Sequence, residues 1–139
     1  MNQEKNVKVG VGCMILKKGK VLLGKRKGAH GDGEYAWPGG HLEFGETIEK
    51  CVEREVKEET GMKAKPVKFL CVSNIIKYNK HYIDIQILTK YISGKPLVLE
   101  PDRIESWNWY PINKLPKSMF EMSKRAVIAY KTGRYYFPK

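Results

Sequence analysis

Hydrophobic and polar positions along the chain fall into several distinct periods. "VKVGVGCMILKKGKVLLGKRKG" places apolar and β-branched residues on either side of "KKGK", a pattern that predicts two strands joined by a glycine-containing turn. "AHGDGEYAWPGG" carries the glycines and proline of a loop, interrupted by a short extended segment at Tyr35, Ala36 and Trp37. From Thr47 to Thr60 the apolar period changes to that of a helix, which Gly61 stops. Strands are expected at 67–76 and 81–91 with "KYNK" as their turn. "ESWNWYPINKLP" reads as a strand running into a short turn, and residues 119–131 as a closing helix. Strands before, between and after helices predict an α/β domain with a mixed sheet. No repeat, low-complexity tract or linker divides the chain, so one domain over residues 1–139 is expected.

One helix breaks its own pattern. At about 100° per residue, Ile48, Cys51, Val52, Glu55, Glu58 and Glu59 share one broad stripe. The stripe begins apolar and ends in three carboxylates at i, i+3 and i+4. Like charges at that spacing cost roughly 0.2–0.5 kcal/mol per pair even on an exposed helix. A solvated acidic face is the plain alternative, but acids that continue an apolar stripe favour a bound cation. Their hard oxygens suit Mg²⁺ or Mn²⁺ better than zinc.

Composition changes the picture only in part. The chain has 139 residues, 42% of them hydrophobic, and a formal net charge of +11. That charge points to polyanionic partners, a nucleotide or nucleic acid, without choosing between them. No apolar run approaches the roughly 20 residues of a membrane span, and "MNQEKNVKVG" lacks the apolar stretch of a secretory signal. Cys13, Cys51 and Cys71 show no paired spacing, so half-buried reduced thiols in a cytoplasmic protein are expected.

The residues around the acidic helix match a spaced pattern. Gly40, Glu46, Arg54, Glu55, Val56, Glu58, Glu59, Gly61 and Met62 fill every fixed place of G-x5-E-x7-R-E-U-x-E-E-x-G-U, where U is a bulky apolar residue. By this box, residues 40–62, the chain resembles the Nudix hydrolases. The resemblance implies an α/β/α sandwich with a mixed sheet, whose loop–helix–loop box holds a divalent metal against a diphosphate. It implies Glu55 and Glu59 as metal ligands with Glu58 assisting, and Glu46 and Arg54 as braces between loop and helix. "VLLGKRKG", "WPGGHLEFGET", "HYIDI", "EPDRIESWNWYPINKLP" and Phe120 extend the likeness to the MutT-type nucleoside triphosphate diphosphatases. Within that group it resembles the human enzyme for oxidised and thiopurine nucleotides and its plant counterpart.

That narrower resemblance implies Mg²⁺-dependent cleavage of normal or oxidised nucleoside triphosphates to a monophosphate and pyrophosphate, by a homodimer. Lys25, Arg26 and His41, next to Gly40, would line the phosphate path, with Phe120 near the base. Glu55 or Glu58 would accept the proton of the attacking water. Lys25 and Arg26 also read as a solvated strand edge, and His41 as a turn residue. Trp107, Trp109 and Tyr110 suit sheet packing better than base stacking. Strand alternation sets Ile83, Ile85 and Ile87 on a core face and Tyr82, Asp84 and Gln86 on the opposite, open one, which the resemblance implies is the nucleotide cleft. Asp84 stands where the human and plant enzymes carry a small hydroxyl residue, and Glu121 replaces an aromatic after Phe120. An ionised Asp84 that reads a base would favour N–H groups; its plain alternative is a solvated or lysine-bridged carboxylate. Two other readings stay open. One is a Nudix hydrolase of RNA 5′ ends, dinucleoside polyphosphates or ADP-ribose, to which the basic residues Lys114, Lys117, Lys124, Arg125, Lys131 and Arg134 lend some weight. The other is a catalytically silent nucleotide- or RNA-binding module.

Overall fold

The structure is a computed structural model that describes residues 5–28, 31–77 and 79–138. β1 (Val7–Lys17) and β2 (Lys20–Arg26) form the expected hairpin, turning through Lys18 and Gly19 at φ of 49° and 78°. Two positive φ values suit the primed turns that follow the twist of paired strands. β1 and β2 then separate, since only Leu16–Val21 and Lys17–Lys20 pair. β1 instead runs parallel to β6 (Lys80–Ser93) from Val7 opposite His81 to Leu16 opposite Lys90. β5 (Lys63–Lys77) lies antiparallel to β6 on its far side, and β7 (Ile104–Pro111) antiparallel to β2.

Short strands complete the sheet. β3 (Tyr35–Ala36) pairs with β2, β4 (Gly39–His41) with the first half of β1, and β8 (Tyr136–Phe137) with β5. The last two were not expected from the sequence, where Gly39 and Gly40 read as loop and no element was assigned after residue 131. β4 forms because its glycines lie close against β1: a Cβ at Gly39 would collide with the Val11 carbonyl.

Each face of this mixed sheet carries one helix. Val11, Cys13, Ile15 and Leu22 pack with Cys51, Val52 and Val56 of α1 (Ile48–Thr60). Met14, Val21 and Leu23 point the other way and pack with Ala126 and Ala129 of α2 (Glu121–Thr132). Strand alternation thus gives β1 and β2 two buried faces, the requirement for an α/β/α sandwich.

Several expected boundaries shift. β5 and β6 extend past both expected ends, because their mutual ladder continues from Lys63 opposite Ser93 to Lys77 opposite Lys80. Met119 precedes α2 and bridges to Tyr35 instead. Residue 78 of the expected turn, residues 29 and 30 of the expected loop, and residues 1–4 and 139 lie outside the described residues. Cys13, Cys51 and Cys71 are free thiols and fully rather than half buried, which pushes all three above the usual thiol range. No helix among the described residues is long and apolar enough to cross a membrane.

Candidate active site

α1 is delimited by its own sequence. The Thr47 hydroxyl accepts the Lys50 N–H at 3.1 Å, and Gly61 turns the chain at φ 77° while donating to the Lys57 carbonyl. Left-handed backbone at that place is the usual reason for a glycine. Between these caps the inner stripe runs from Cys51 and Val52 to Val56, Glu55 and Glu59, all buried. Glu58 departs from the expected stripe: its side chain is 54% exposed at the helix edge.

Arg54 holds the box together. Its Nε and Nη2 meet the Glu46 carboxylate at 2.6 and 3.0 Å, Nη1 meets Glu55 at 2.7 Å and Glu58 at 3.2 Å, and Nη2 donates to the His41 carbonyl at 3.0 Å. The charged fork is satisfied on each side, the geometry in which ion pairs are strongest. Arg54 holds the Glu46 carboxyl down at about 2, and Glu46 in turn raises Arg54. Glu46 also accepts the Glu43 N–H, so the loop before α1 is tied to the helix through one guanidinium.

Two carboxylates lie beyond this network's full reach. Glu59 is 5% exposed and accepts the Gly39 N–H at 2.6 Å; burial, reinforced by the Glu55 charge, pushes its carboxyl up to about 8. Burial raises Glu55 as well, against the pull of Arg54. A Cβ at Gly40 would fall on the Glu55 carboxylate, so only glycine leaves that oxygen pair its place. Among the described residues no three acidic, histidine or cysteine side chains already converge on one point. Two buried carboxylates one helical turn apart, of which only Glu55 meets a guanidinium, fit a hard divalent ion that keeps several of its waters.

From Glu59 a cleft of about 810 Å³ opens across the sheet. Gly39, Gly40, His41, Arg26, Lys27, Arg103, Phe120, Asp84 and Gln86 are among the residues that line it. The Arg26 guanidinium sits 4.3 Å from the Phe120 ring centroid, a cation–π distance. Burial lowers the Arg26 pKa, and Arg103 nearby lowers it further. The His41 ring lies 5.4 Å from Tyr82, and burial followed by Lys8, Arg103 and Lys80 disfavours its protonation. Asp84 accepts from Gln86 Nε2 at 2.7 Å, and burial pushes its carboxyl up to about 6. No lysine–Asp84 ion pair exists among the described residues.

The site therefore gathers Arg26, Gly40, His41, Glu59, Asp84 and Phe120 on one cleft, with Glu55 behind Gly40. Lys25 stands apart from this group. It lies outside the cleft lining and pairs with Glu105 at 3.5 Å, the solvated-edge arrangement. The ladder between β2 and β7 shifts register between Lys25 and Arg26, and such an irregularity re-aims the next side chain. Trp107 packs in the α1-side core, Trp109 edge-on to Tyr91 and Tyr110 edge-on to Tyr35, away from the cleft. Sequence reasoning assigned no role to Lys27, Arg103 or Gln86. For Gln86 the strand alternation with Asp84 was the available signal; for Arg103 there was none, because it reaches Glu59 through the fold.

Comparison with known proteins follows the same lines. The NUDIX domain family matches residues 6–130. An ADP-ribose pyrophosphatase of Methanocaldococcus jannaschii is 36% identical over 118 residues, 84% of this chain and 69% of that protein. The NAD-capped RNA hydrolase NudC of Stutzerimonas stutzeri is 30% identical over 103 residues, 74% of this chain but only 36% of that longer protein. Among solved structures, a MutT NUDIX hydrolase from Burkholderia pseudomallei superposes with a TM-score of 0.83 at 33% identity, covering 90% of this chain and 98% of the other. A UDP-X diphosphatase shares the fold at 23% identity, with a TM-score of 0.74 over 99% of this chain and 70% of the other. Box, sandwich and relatives agree: this chain belongs to the NUDIX domain family and is a Nudix hydrolase.

Proposed function

We propose that the protein hydrolyses nucleoside triphosphates to a nucleoside monophosphate and pyrophosphate. The observation that supports the reading is that Arg26, Lys27 and Arg103 line the same cleft as Glu59, with Arg26 and Arg103 near enough for their charges to act on that carboxyl. Three cations beside the acidic helix suit a chain of phosphates more than a single diphosphate link. Glu55 and Glu59 would hold Mg²⁺ or Mn²⁺, with Glu58 assisting from the helix edge. When bound, that ion neutralises phosphate oxygens and acidifies a water. Glu55 or Glu58 takes the proton of the attacking water as its oxygen bonds to phosphorus and a P–O–P bond breaks. Arg26 and Arg103 balance the charge that grows on the departing pyrophosphate. His41, whose protonation is disfavoured first by burial and then by Lys8, Arg103 and Lys80, donates one hydrogen bond to a phosphate oxygen. Arg54 acts through Glu46 and Glu55 and positions the helix.

A second reading has its own support. The 36% identical relative is an ADP-ribose pyrophosphatase, and NudC acts on NAD-capped RNA. Both names describe a nucleoside diphosphate linked to a further group, which the same carboxylates suit equally.

The deciding experiment is a substrate panel with Mg²⁺: nucleoside triphosphates, ADP-ribose and NAD-capped RNA, with pyrophosphate and phosphate resolved. Pyrophosphate released from triphosphates at a kcat/KM well above that for ADP-ribose is the expected result. The reverse order moves the assignment to the second reading. Reaction in ¹⁸O-water then reports which phosphorus is attacked.

A further inference from the structure

Within the cleft, the sheet itself forms a polar floor. β1 contributes Gly10 and Gly12, and β6 sets Asp84 and Gln86 directly beside them in parallel register. A Cβ at residue 12 would land on the Gln86 amide, and one at residue 10 would lie 3.4 Å from Asp84 Oδ1. The two glycines therefore make room for a carboxyl and a buried amide to lie over this strip of sheet.

Those groups are incompletely satisfied within the fold. Gln86 is 2% exposed, and its Nε2 donates to Asp84 Oδ2 at 2.7 Å. That bond settles which end of the amide is which. The remaining atom, Oε1, is buried and receives no hydrogen bond. Trp37, 6% exposed and lining the same cavity, has an indole N–H with no acceptor. Ser73, opposite Asp84 in the β5–β6 ladder, has a buried hydroxyl without a partner. Buried polar groups are nearly always paired, so two exceptions among the residues lining the cavity, Gln86 and Trp37, ask for a ligand.

We propose that Asp84 and Gln86 together read the nucleobase, selecting bases with adjacent N–H donors, guanine foremost, over uracil and thymine. The inference rests on the reading that the substrate is a nucleoside phosphate. Both available groups are acceptors: an ionised carboxylate has no hydrogen to give, and Gln86 has already used the amide end that donates towards Asp84. Guanine presents a ring N–H beside an amino group and so matches two acceptors side by side. Adenine and cytosine offer an amino group beside a ring acceptor. Uracil and thymine offer one N–H between two carbonyls, whose lone pairs would face the carboxylate. The Trp37 N–H supplies a donor for an acceptor elsewhere on a purine.

Asp84→Asn makes the sharpest test. Gln86 Nε2 still needs an acceptor and takes the asparagine oxygen, which turns the new NH2 group towards the ligand. The polarity of the edge reverses with almost no change in shape. Binding of GMP and UMP to the full chain is measured by titration calorimetry without metal, alongside kcat/KM for GTP and UTP with Mg²⁺. The wild type is expected to bind GMP about tenfold or more tighter than UMP, the scale of one lost buried hydrogen bond. Asp84→Asn is expected to erase that ratio and to improve UTP turnover in absolute terms. Gln86→Met, which deletes the orphan oxygen and keeps the volume, is expected to lower the ratio as well. Equal GMP and UMP affinities in the wild type overturn the proposal, as does an unchanged ratio in a variant with a native circular dichroism spectrum. Should triphosphates prove poor substrates while GMP still outbinds UMP, the proposed reaction falls and base reading stands. Good triphosphate turnover without base preference has the opposite meaning.

Discussion

Glu59→Gln is expected to stabilise the metal-free protein while removing its activity. Glu59 is buried near Glu55 and has its carboxyl pushed up to about 8 from an ordinary value of 4.5, first by burial and then, against the Gly39 hydrogen bond, by the Glu55 charge. A native pKa above the unfolded one means that the folded chain holds a proton which the unfolded chain has lost. The stability linked to Glu59 is thus fully present below pH 4.5 and disappears as pH rises through 8. At pH 7.5 three pH units separate the solution from the unfolded value, and at about 1.4 kcal/mol each they set a ceiling of about 4 kcal/mol. Water reaching the cleft screens the carboxylate, so a gain of about 1–2 kcal/mol is expected. A glutamine oxygen still accepts the Gly39 N–H, and the amide carries no charge to bury. For a chain of this length the gain corresponds to a Tm higher by about 3–8 °C. The assay is thermal melting at pH 7.5 in EDTA and again in excess Mg²⁺. In EDTA the variant should melt above the wild type, and the gap should close towards pH 4.5. In Mg²⁺ the wild type should rise by binding linkage and the variant should not. A variant that melts at or below the wild type in EDTA, or gains as much from Mg²⁺, refutes the reasoning.

Two further outcomes separate residues that the linear sequence leaves equivalent. Arg26→Glu should lower kcat/KM for triphosphates by about tenfold or more, the scale of one lost charged contact, whereas Lys25→Glu should leave it within about twofold. Comparable losses in both, measured by pyrophosphate release, would return Lys25 to the phosphate path. Arg54→Gln should destabilise the fold by about 3 kcal/mol in urea unfolding, because Glu46 and Glu55 lose the charge that offsets their burial. A loss of under about 1 kcal/mol would remove Arg54 from the centre of the box.

The family and the acidic box helix were legible in the sequence because their determinants are local. Thr47 and Gly61 delimit α1 by contacts within one turn, and helical periodicity alone carries Glu55 and Glu59 onto the stripe begun by Cys51 and Val52. Alternation along β6 likewise set Asp84 on the cleft side without any knowledge of its neighbours. What α1 and β6 face was decided elsewhere. β4 exists because Gly39 and Gly40 can lie against β1 and Glu55, a close approach that no local pattern announces. Glu58 lies at the edge of the buried stripe, about 100° round the helix from Glu59, and stays exposed beside Arg54. Lys25 and Arg26 are adjacent in the chain, yet a register shift against β7 sends one to Glu105 and the other onto Phe120. Arg103 joins Glu59 only when β7 is laid against β2, and Gln86 acquires its orphan oxygen only once Gly12 passes above it. Caps and periods act over a few residues and are written in the chain, whereas strand register and the meeting of distant side chains are set by packing the whole sheet.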